Sequence, residues 1–233
     1  MIGSLIFAAF SIVFCIMFCM FRSEKATVLS LALKTISSIC FVLCAVFAIN
    51  YMGIGNGGLL ILVGLIFGLI GDIVLDLKIM YPKQGDSYFI FGTSAFAIGH
   101  IFYAFATVLY NLSVLQSHLW WNLLASILIA IAATVGIVFA SKKMGLNFGK
   151  MFYPVVGYSV ILNFMFAFSV SIAIFNPIFW IFAAGMFLFL ASDLVLSMQY
   201  FGGRKEKSLI WINHILYYLA QVAIAVSLLF VLF

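Results

Sequence analysis

GLIFGLIGDIVLD, residues 64–76, is apolar enough to cross a membrane, yet an aspartate interrupts it at Asp72. A second stretch, GMFLFLASDLVLS at residues 185–197, aligns with the first from its leading glycine and sets Asp193 against Asp72. Nearly every other aligned position pairs an apolar residue with an apolar one, or a small residue with a small one. Chance does not readily place the same acid twice in the same apolar frame.

The composition identifies the class of protein. Of the 233 residues, 67% are hydrophobic and only 7% are charged, which leaves too little polar surface for a soluble domain of this size. Hydrocarbon cannot satisfy free backbone groups, and no segment shows the alternating pattern of barrel strands. The sequence therefore predicts an all-α integral membrane protein in the lipid bilayer.

Charges, Gly, Pro and Asn divide the chain into eight apolar segments, each near the ~20 residues that a membrane-spanning helix needs. The predicted spans are residues 2–21, 26–49, 58–79, 88–110, 119–140, 151–175, 178–200 and 208–232.

The positions of the basic residues predict the topology. Outside the spans or at their ends, Lys and Arg occur only in or beside the odd-numbered loops: Arg22, Lys25, Lys78, Lys83, Lys142, Lys143, Lys150, Arg204, Lys205 and Lys207. The positive-inside rule then puts these loops in the cytoplasm and both termini outside, an N-out/C-out arrangement. The net charge of +5 reflects topology and indicates no nucleic-acid partner. We expect a multi-pass protein of the bacterial inner (cytoplasmic) membrane.

A second pair of motifs extends the internal similarity. IGHIFYAF at residues 98–105 matches INHILYYL at residues 212–219, so His100 aligns with His214 and Tyr103 with Tyr217. The chain therefore reads as one transmembrane domain built from a duplicated four-helix unit, residues 1–117 and 118–233. An even number of helices per unit predicts a 4+4 parallel internal repeat, with its pseudo-axis along the membrane normal and a site where the halves meet.

The two aspartates need an explanation, because an unpaired charge at the centre of a spanning helix costs at least ~2.5–3.5 kcal/mol. Each must be protonated, paired or exposed to a wet cavity. A structural alternative is that Lys34 neutralises one aspartate while a Ser, Tyr or His bonds the other. Asp76, one turn after Asp72, aligns with Ser197 and is interpreted as a structural or interfacial acid. Both repeated aspartates lie roughly 10–12 Å inside the cytoplasmic ends of their helices.

Two Asp and two His residues are a possible metal-ligand set, but no HxxxH or HExxH spacing occurs, and we predict neither a metal nor another cofactor. The cysteines form two pairs with helical spacing, Cys15 with Cys19 and Cys40 with Cys44. Because the two pairs are expected at different depths in the membrane, they are interpreted as packing residues.

Taken in order, these motifs resemble the YhhN-type lysoplasmalogenases, small eight-span membrane proteins that include animal lysoplasmalogenase. The resemblance rests on GLIFGLIGDIVLD, FGTSAFAIGHIFYAF, PVVGYSV with Asn163 and Met165 after it, GMFLFLASDLVLS, and ILYYLAQ near the end. Lys34 fits a membrane-embedded lysine of the family's second span. The usual Lys-Pro of the family is Lys34-Thr35 here.

The resemblance implies hydrolysis of the vinyl ether bond of lysoplasmalogens, which releases a fatty aldehyde and a glycerophospho-ethanolamine or -choline. It leaves the natural substrate open. The candidate catalytic residues are the two repeated aspartates, Asp72 and Asp193. The residues expected to contact the lysophospholipid are Lys34, His100, Tyr103, Tyr158, Asn163, His214, Tyr217 and Gln221.

Two carboxyl groups suit this chemistry independently of the family. A vinyl ether resists base and yields to acid, because its slow step is protonation of the alkene β-carbon to give an oxocarbenium ion. The enzyme needs one protonated carboxylic acid and one carboxylate, and two aspartates sharing a desolvated site meet that need as a unit. The residues leave two other functions open: an intramembrane aspartyl hydrolase of another bond, and a proton-coupled transporter or lipid-binding protein.

Overall fold

The computed structural model describes residues 1–22, 27–53, 55–115, 118–204 and 206–231. Within this part of the chain, eight helices are long and apolar enough to cross a membrane, and no strand occurs. The predicted all-helical class and helix count are thus confirmed. The helices are α1 Ile2–Phe21, α2 Val28–Met52, α3 Asn56–Met80, α4 Gly85–Tyr110, α5 Leu119–Lys143, α6 Phe152–Phe175, α7 Trp180–Phe201 and α8 Lys207–Ser227.

Local signals account for the helix ends. Thr27 and Ser30 form a reciprocal capping box, with distances of 3.1 and 2.9 Å, so α2 begins at Val28. The same helix ends at Gly53, whose φ of 93° favours glycine. The largest difference from the prediction is at α8, which ends at Ser227 and is followed by a turn. Lys25, Lys205, the span ends predicted at 26 and 232, and residue 117 lie outside the described residues.

The helices pack as consecutive hairpins: α1 with α2, α3 with α4, α5 with α6, and α7 with α8. Contacts between hairpins follow a paired pattern, because α2 packs against α3 and α8 while α6 packs against α7 and α4. The pattern departs from symmetry at α1, which also packs against α8, whereas α5 packs mainly against α6. The paired contacts agree with a duplicated unit. The 4+4 repeat, its halves and the N-out/C-out orientation stay predictions.

The glycines of residues 64–76 bring helices together around Asp72. A Cβ on Gly99 of α4 would lie 2.8 Å from the carbonyl oxygen of Gly64 on α3, so these two backbones meet directly. A Cβ on Gly71 would lie 2.7 Å from the ring of Phe96, and one on Gly68 would lie 2.6 Å from Gln221 Nε2 of α8. Small residues in α3 therefore admit side chains from α4 and α8 next to the acid.

Candidate active site

A polar cavity of about 240 Å³ lies near the end of the bundle at which α1, α3 and α7 finish and α2 and α8 begin. Asp72 and Asp193 are each eight residues from the C-terminal ends of α3 and α7, about 12 Å along the axis. That depth matches the prediction for both acids. Six charged residues of the described part of the chain line the cavity: Arg22, Lys34, Asp72, Asp76, Asp193 and Arg204.

Asp72 is buried and has a cation and two hydroxyl donors as partners. Lys34 Nζ lies 3.5 Å from Oδ1, and the hydroxyl groups of Ser38 and Tyr217 donate to Oδ2 at 2.6 and 2.8 Å. Gln221 Nε2 donates in turn to the hydroxyl of Tyr217 at 2.8 Å. Helices α2, α3 and α8 therefore converge on one carboxylate, and its charge is balanced within the protein.

Asp76 connects that group to the mouth of the cavity. Lys34 Nζ lies 3.2 Å from its Oδ1, and Arg22 Nη1 lies 3.2 Å from its Oδ2. Arg22 and Asp76 are almost fully buried, although both lie near the helix ends. Asp76 therefore acts as a structural counter-ion that holds α1, α2 and α3 together, consistent with one of the roles that its position suggested.

Asp193 has different neighbours. The hydroxyl of Tyr158, from α6, donates to its Oδ2 at 2.6 Å, and the hydroxyl of Ser192 lies 3.5 Å from Oδ1. No Lys, Arg or His in the described ranges lies within ion-pairing distance of this carboxyl. Asp193 is half-buried where it borders the cavity. No hydrogen bond links it directly to Asp72 within the described residues, and the two acids face a common space large enough for water.

The remaining predicted residues divide into two groups. His214 and Tyr217 line the polar cavity, and His214 Nδ1 lies 2.8 Å from the carbonyl oxygen of Ile210 in its own helix. His100 and Tyr103 do not line this cavity. The ring of His100 packs at 4.7 Å from Phe189, while His100 Nε2 and the hydroxyl of Tyr103 have no hydrogen-bond partner within the described residues.

Asn163 also lies away from the polar cavity. Its Nδ2 donates to the hydroxyl of Thr134 at 3.2 Å and to the carbonyl oxygen of Ser159 at 2.8 Å, which joins α6 to α5. His100, Tyr103 and Asn163 therefore do not line the polar cavity, and their contacts with a substrate stay predictions.

Several residues at the site were absent from the sequence-based set. Arg22 was interpreted only as a topological charge, although it directly follows α1 and pairs with Asp76. Ser38 lies one helical turn after Lys34, and that spacing puts both residues on the same face of α2. Helical spacing from Lys34 was therefore sufficient to find Ser38, whereas the partner of Arg22 depends on how α1 packs.

Together, the fold and the cavity define a multi-pass membrane protein with two aspartates on one internal polar cavity. The chain belongs to the YhhN family, whose model matches residues 29–228. The match extends over nearly all of α2 and all of α3 to α8, so the resemblance noted in the sequence is confirmed. Family membership is consistent with a hydrolase. No curated protein and no solved structure matches the chain.

Proposed function

We propose that this protein is a membrane hydrolase that cleaves the vinyl ether bond of lysoplasmalogens at the cytoplasmic side of a bacterial inner membrane. The single observation that carries the proposal is that Asp72 and Asp193 border one cavity with unlike partners. Acid-catalysed cleavage of a vinyl ether requires one proton donor and one carboxylate. Membership in the YhhN family supports the same reaction class.

The partners of the two acids support different roles for them. Asp72 shares the cation of Lys34 and accepts two hydrogen bonds, which together stabilise a buried carboxylate. Within the described residues, Asp193 receives hydrogen bonds only from neutral hydroxyl groups, and a half-buried carboxyl without a cation nearby favours the neutral form. Asp193 is therefore the general acid, and Asp72 is the carboxylate that faces the developing cation.

The reaction then balances within the pair. Asp193 gives its proton to the β-carbon of the alkene, and the C=C pair forms the new C–H bond, leaving an oxocarbenium ion stabilised by the carboxylate of Asp72. Water adds to the cationic carbon, and the proton that it releases passes to a carboxylate. Collapse of the hemiacetal forms the C=O bond of the fatty aldehyde and breaks the bond to the glycerol oxygen, which takes up a proton as the hemiacetal hydroxyl loses one and leaves as the glycerophospho-alcohol. The overall change consumes one water, and no redox partner is needed.

The direct test is aldehyde release from a purified lysoplasmalogen by the full chain in detergent micelles. We expect aldehyde and free glycerophospho-ethanolamine or -choline in equal amounts, and none from the folded Asp193→Asn variant. A saturated alkyl ether of the same head group should remain intact, because it has no alkene to protonate. Release of a fatty acid from an ester or of an amine from an amide, with no aldehyde, would instead identify a hydrolase of another bond. Proton-coupled uptake without cleavage would identify a transporter.

A further inference from the structure

A second cavity, the apolar cavity, lies beside the polar one. It has a volume of about 80 Å³ and is enclosed by α3 to α7 in the half of the bundle nearest the charged loops. Its walls are mostly hydrocarbon and aromatic, and they include Phe89, Ile137, Phe148, Val155, Leu162 and Phe201. The polar side chains on this wall are hydroxyl groups and Asp193, with no Lys or Arg among the described residues, so the lining is suited to a hydrocarbon chain rather than to an anionic head group.

The two cavities share a wall. Leu75, Phe96, Asp193, Leu196 and Tyr200 border both of them. Asp193 is the only acid in this shared set, and Tyr158, which donates to it at 2.6 Å, borders the apolar cavity. The proposed general acid therefore stands where a polar compartment meets an apolar one.

The polar cavity has a positive excess when Asp193 is neutral. Among the described residues, its lining then carries three cations, Arg22, Lys34 and Arg204, against two carboxylates, Asp72 and Asp76, with the histidine neutral. Arg22 and Lys34 are engaged by those carboxylates. Arg204 is exposed at the mouth and forms no ion pair within the described residues. One unengaged guanidinium and an excess charge of +1 match a phosphodiester, which carries a single negative charge.

We propose that the two cavities bind the two ends of one amphiphile, with its phosphodiester at Arg204 and the first carbons of its hydrocarbon chain in the apolar cavity. The inference rests on the proposed function, since the charge excess assumes a neutral Asp193. In an alkenyl lysophospholipid the vinyl ether is the junction between the glycerol backbone and the chain. That junction falls at Asp193, where the two cavities meet. The rest of the hydrocarbon chain leaves toward the bilayer beside α5, because α5 packs mainly against α6 and leaves its other sides open.

Binding of a saturated alkyl lysophospholipid tests the two compartments without requiring hydrolysis. Competition against a fluorescent alkyl lysophospholipid gives the affinity of three probes: the alkyl lysophospholipid, an alkylglycerol without phosphate, and glycerophosphoethanolamine without a chain. We expect the full amphiphile to bind at least about ten-fold more tightly than either fragment. Equal affinities for the alkyl lysophospholipid and the alkylglycerol would overturn the phosphodiester contact.

Matched variants locate each end. Arg204→Gln should weaken binding of the alkyl lysophospholipid about ten-fold and leave alkylglycerol binding unchanged, since one charge-assisted contact is lost. Lys207→Gln removes an exposed cation three residues away that does not line the cavity, and it should have no effect. Equal results for the two variants would reject Arg204 as the phosphate contact.

The apolar end has its own pair. Ile137→Trp places a larger side chain in the apolar cavity and should weaken both chain-bearing probes, whereas Leu128→Trp, on the exposed side of the same helix, should not. Equal effects would reject the chain position. Aldehyde release is measured separately on wild-type protein. Phosphate-dependent binding without aldehyde would refute the proposed reaction and leave the two-compartment site standing.

Discussion

Asp72 and Asp193 occupy equivalent places in the sequence repeat, yet their surroundings differ in charge. Asp72 lies 3.5 Å from Lys34 Nζ and accepts hydrogen bonds from Ser38 and Tyr217. Asp193 accepts from the hydroxyl of Tyr158 at 2.6 Å and has the hydroxyl of Ser192 at 3.5 Å, and no cation of the described residues lies within ion-pairing distance. The same side chain at the same depth thus has neighbours of different charge, which supports the two protonation states that we propose for the pair.

The difference arises on the helices that precede the two acids. Lys34 on α2 reaches Asp72 on α3, and Tyr158 on α6 reaches Asp193 on α7, so each acid is met by the second helix of its own predicted half. The helices that contact the two acids are arranged alike, but the contacting residue is a lysine for Asp72 and a tyrosine for Asp193. The proposed acid and the proposed carboxylate therefore differ in their nearest charged partner, and Asp72 also accepts hydrogen bonds from Ser38 and Tyr217.

The largest effect that we expect is a difference in protein stability between removing Lys34, the partner of Asp72, and removing the hydroxyl of Tyr158, the partner of Asp193. Lys34→Met leaves buried carboxylates short of a cation, so the free energy of unfolding should fall by about 3–5 kcal/mol. Tyr158→Phe removes one hydrogen bond and should cost about 0.5–1.5 kcal/mol, or up to about 3 if the carboxyl oxygen is left unsatisfied. Denaturant titration in detergent micelles measures both values.

A double variant provides the control for this pair. Lys34→Met combined with Asp72→Asn removes both charges, so part of the lost stability should return. Equal losses of stability from Lys34→Met and Tyr158→Phe would contradict the comparison, because they would mean that the two acids carry the same charge.

Amide substitutions should reveal the same two acids as one catalytic unit. Asp72→Asn and Asp193→Asn keep shape and hydrogen bonding but remove a titratable proton. Each alone should lower aldehyde release by at least ~10²-fold, the lower range for general acid–base catalysis. The double variant should be little worse than either single one, as for residues that act together.

Denaturant unfolding of the two Asp→Asn variants shows whether a loss of activity comes from a lost catalytic group or from an unfolded protein. Asp193→Asn should unfold at nearly the wild-type denaturant concentration, since an amide oxygen still accepts from Tyr158. Asp72→Asn should be less stable, since Lys34 keeps only Asp76 as a counter-ion. Near-normal activity of a folded Asp193→Asn variant would return that residue to a structural role.

The sequence was enough to predict the eight helices and the depth of both acids, for physical reasons. Each spanning helix must satisfy its own backbone in hydrocarbon, so apolar length and flanking charge define it with little help from tertiary contacts. The acids stood out because a charged group is costly in that setting. Lys34 stood out for the same reason, and it pairs with Asp72, as expected for a lysine that neutralises one of the two aspartates.

Contacts that depend on helix rotation and packing were harder to predict. His100 and His214 belong to matching motifs, yet only His214 borders the polar cavity. The pairing of Arg22 with Asp76 requires α1 to pack against the rest of the bundle in a particular register. A repeat in sequence predicts equivalent positions. It does not predict which of two equivalent side chains faces a cavity that lies to one side of the bundle.

A pair of glycine substitutions, one near each acid, should show a smaller difference in stability between the Asp72 side and the Asp193 side. A Cβ on Gly68 would lie 2.6 Å from Gln221 Nε2, so Gly68→Ala should displace the side chain that supports Tyr217 on the Asp72 side, at a cost of about 1–3 kcal/mol. A Cβ on Gly157, beside Tyr158 on the Asp193 side, meets nothing within 4 Å. Gly157→Ala should therefore gain up to about 1 kcal/mol from helix propensity.

Denaturation midpoints and aldehyde release of the two alanine variants are compared directly. Aldehyde release should fall for Gly68→Ala alone. An equal response at both positions would show that Gln221 adjusts freely and that the Asp72 side is no more tightly packed than the Asp193 side.

The smallest effect is expected at His100, and it separates sequence equivalence from structural equivalence. His100 Nε2 is buried without a hydrogen-bond partner in the described part of the chain, while Nδ1 lies 2.8 Å from the carbonyl oxygen of Phe96. His100→Leu removes both the unsatisfied atom and that contact, so the two effects offset and the free energy of unfolding should change by no more than about 1 kcal/mol. Aldehyde release should stay near the wild-type value, because His100 does not border the polar cavity.

His214→Leu is the matched control. His214 does border that cavity, and its loss should lower aldehyde release at least about ten-fold, which corresponds to about 1.4 kcal/mol in the activation barrier. A large activity loss in a stable His100→Leu variant would mean that the first-half histidine reaches the substrate after all, and that the two halves contribute to catalysis more symmetrically than their contacts indicate.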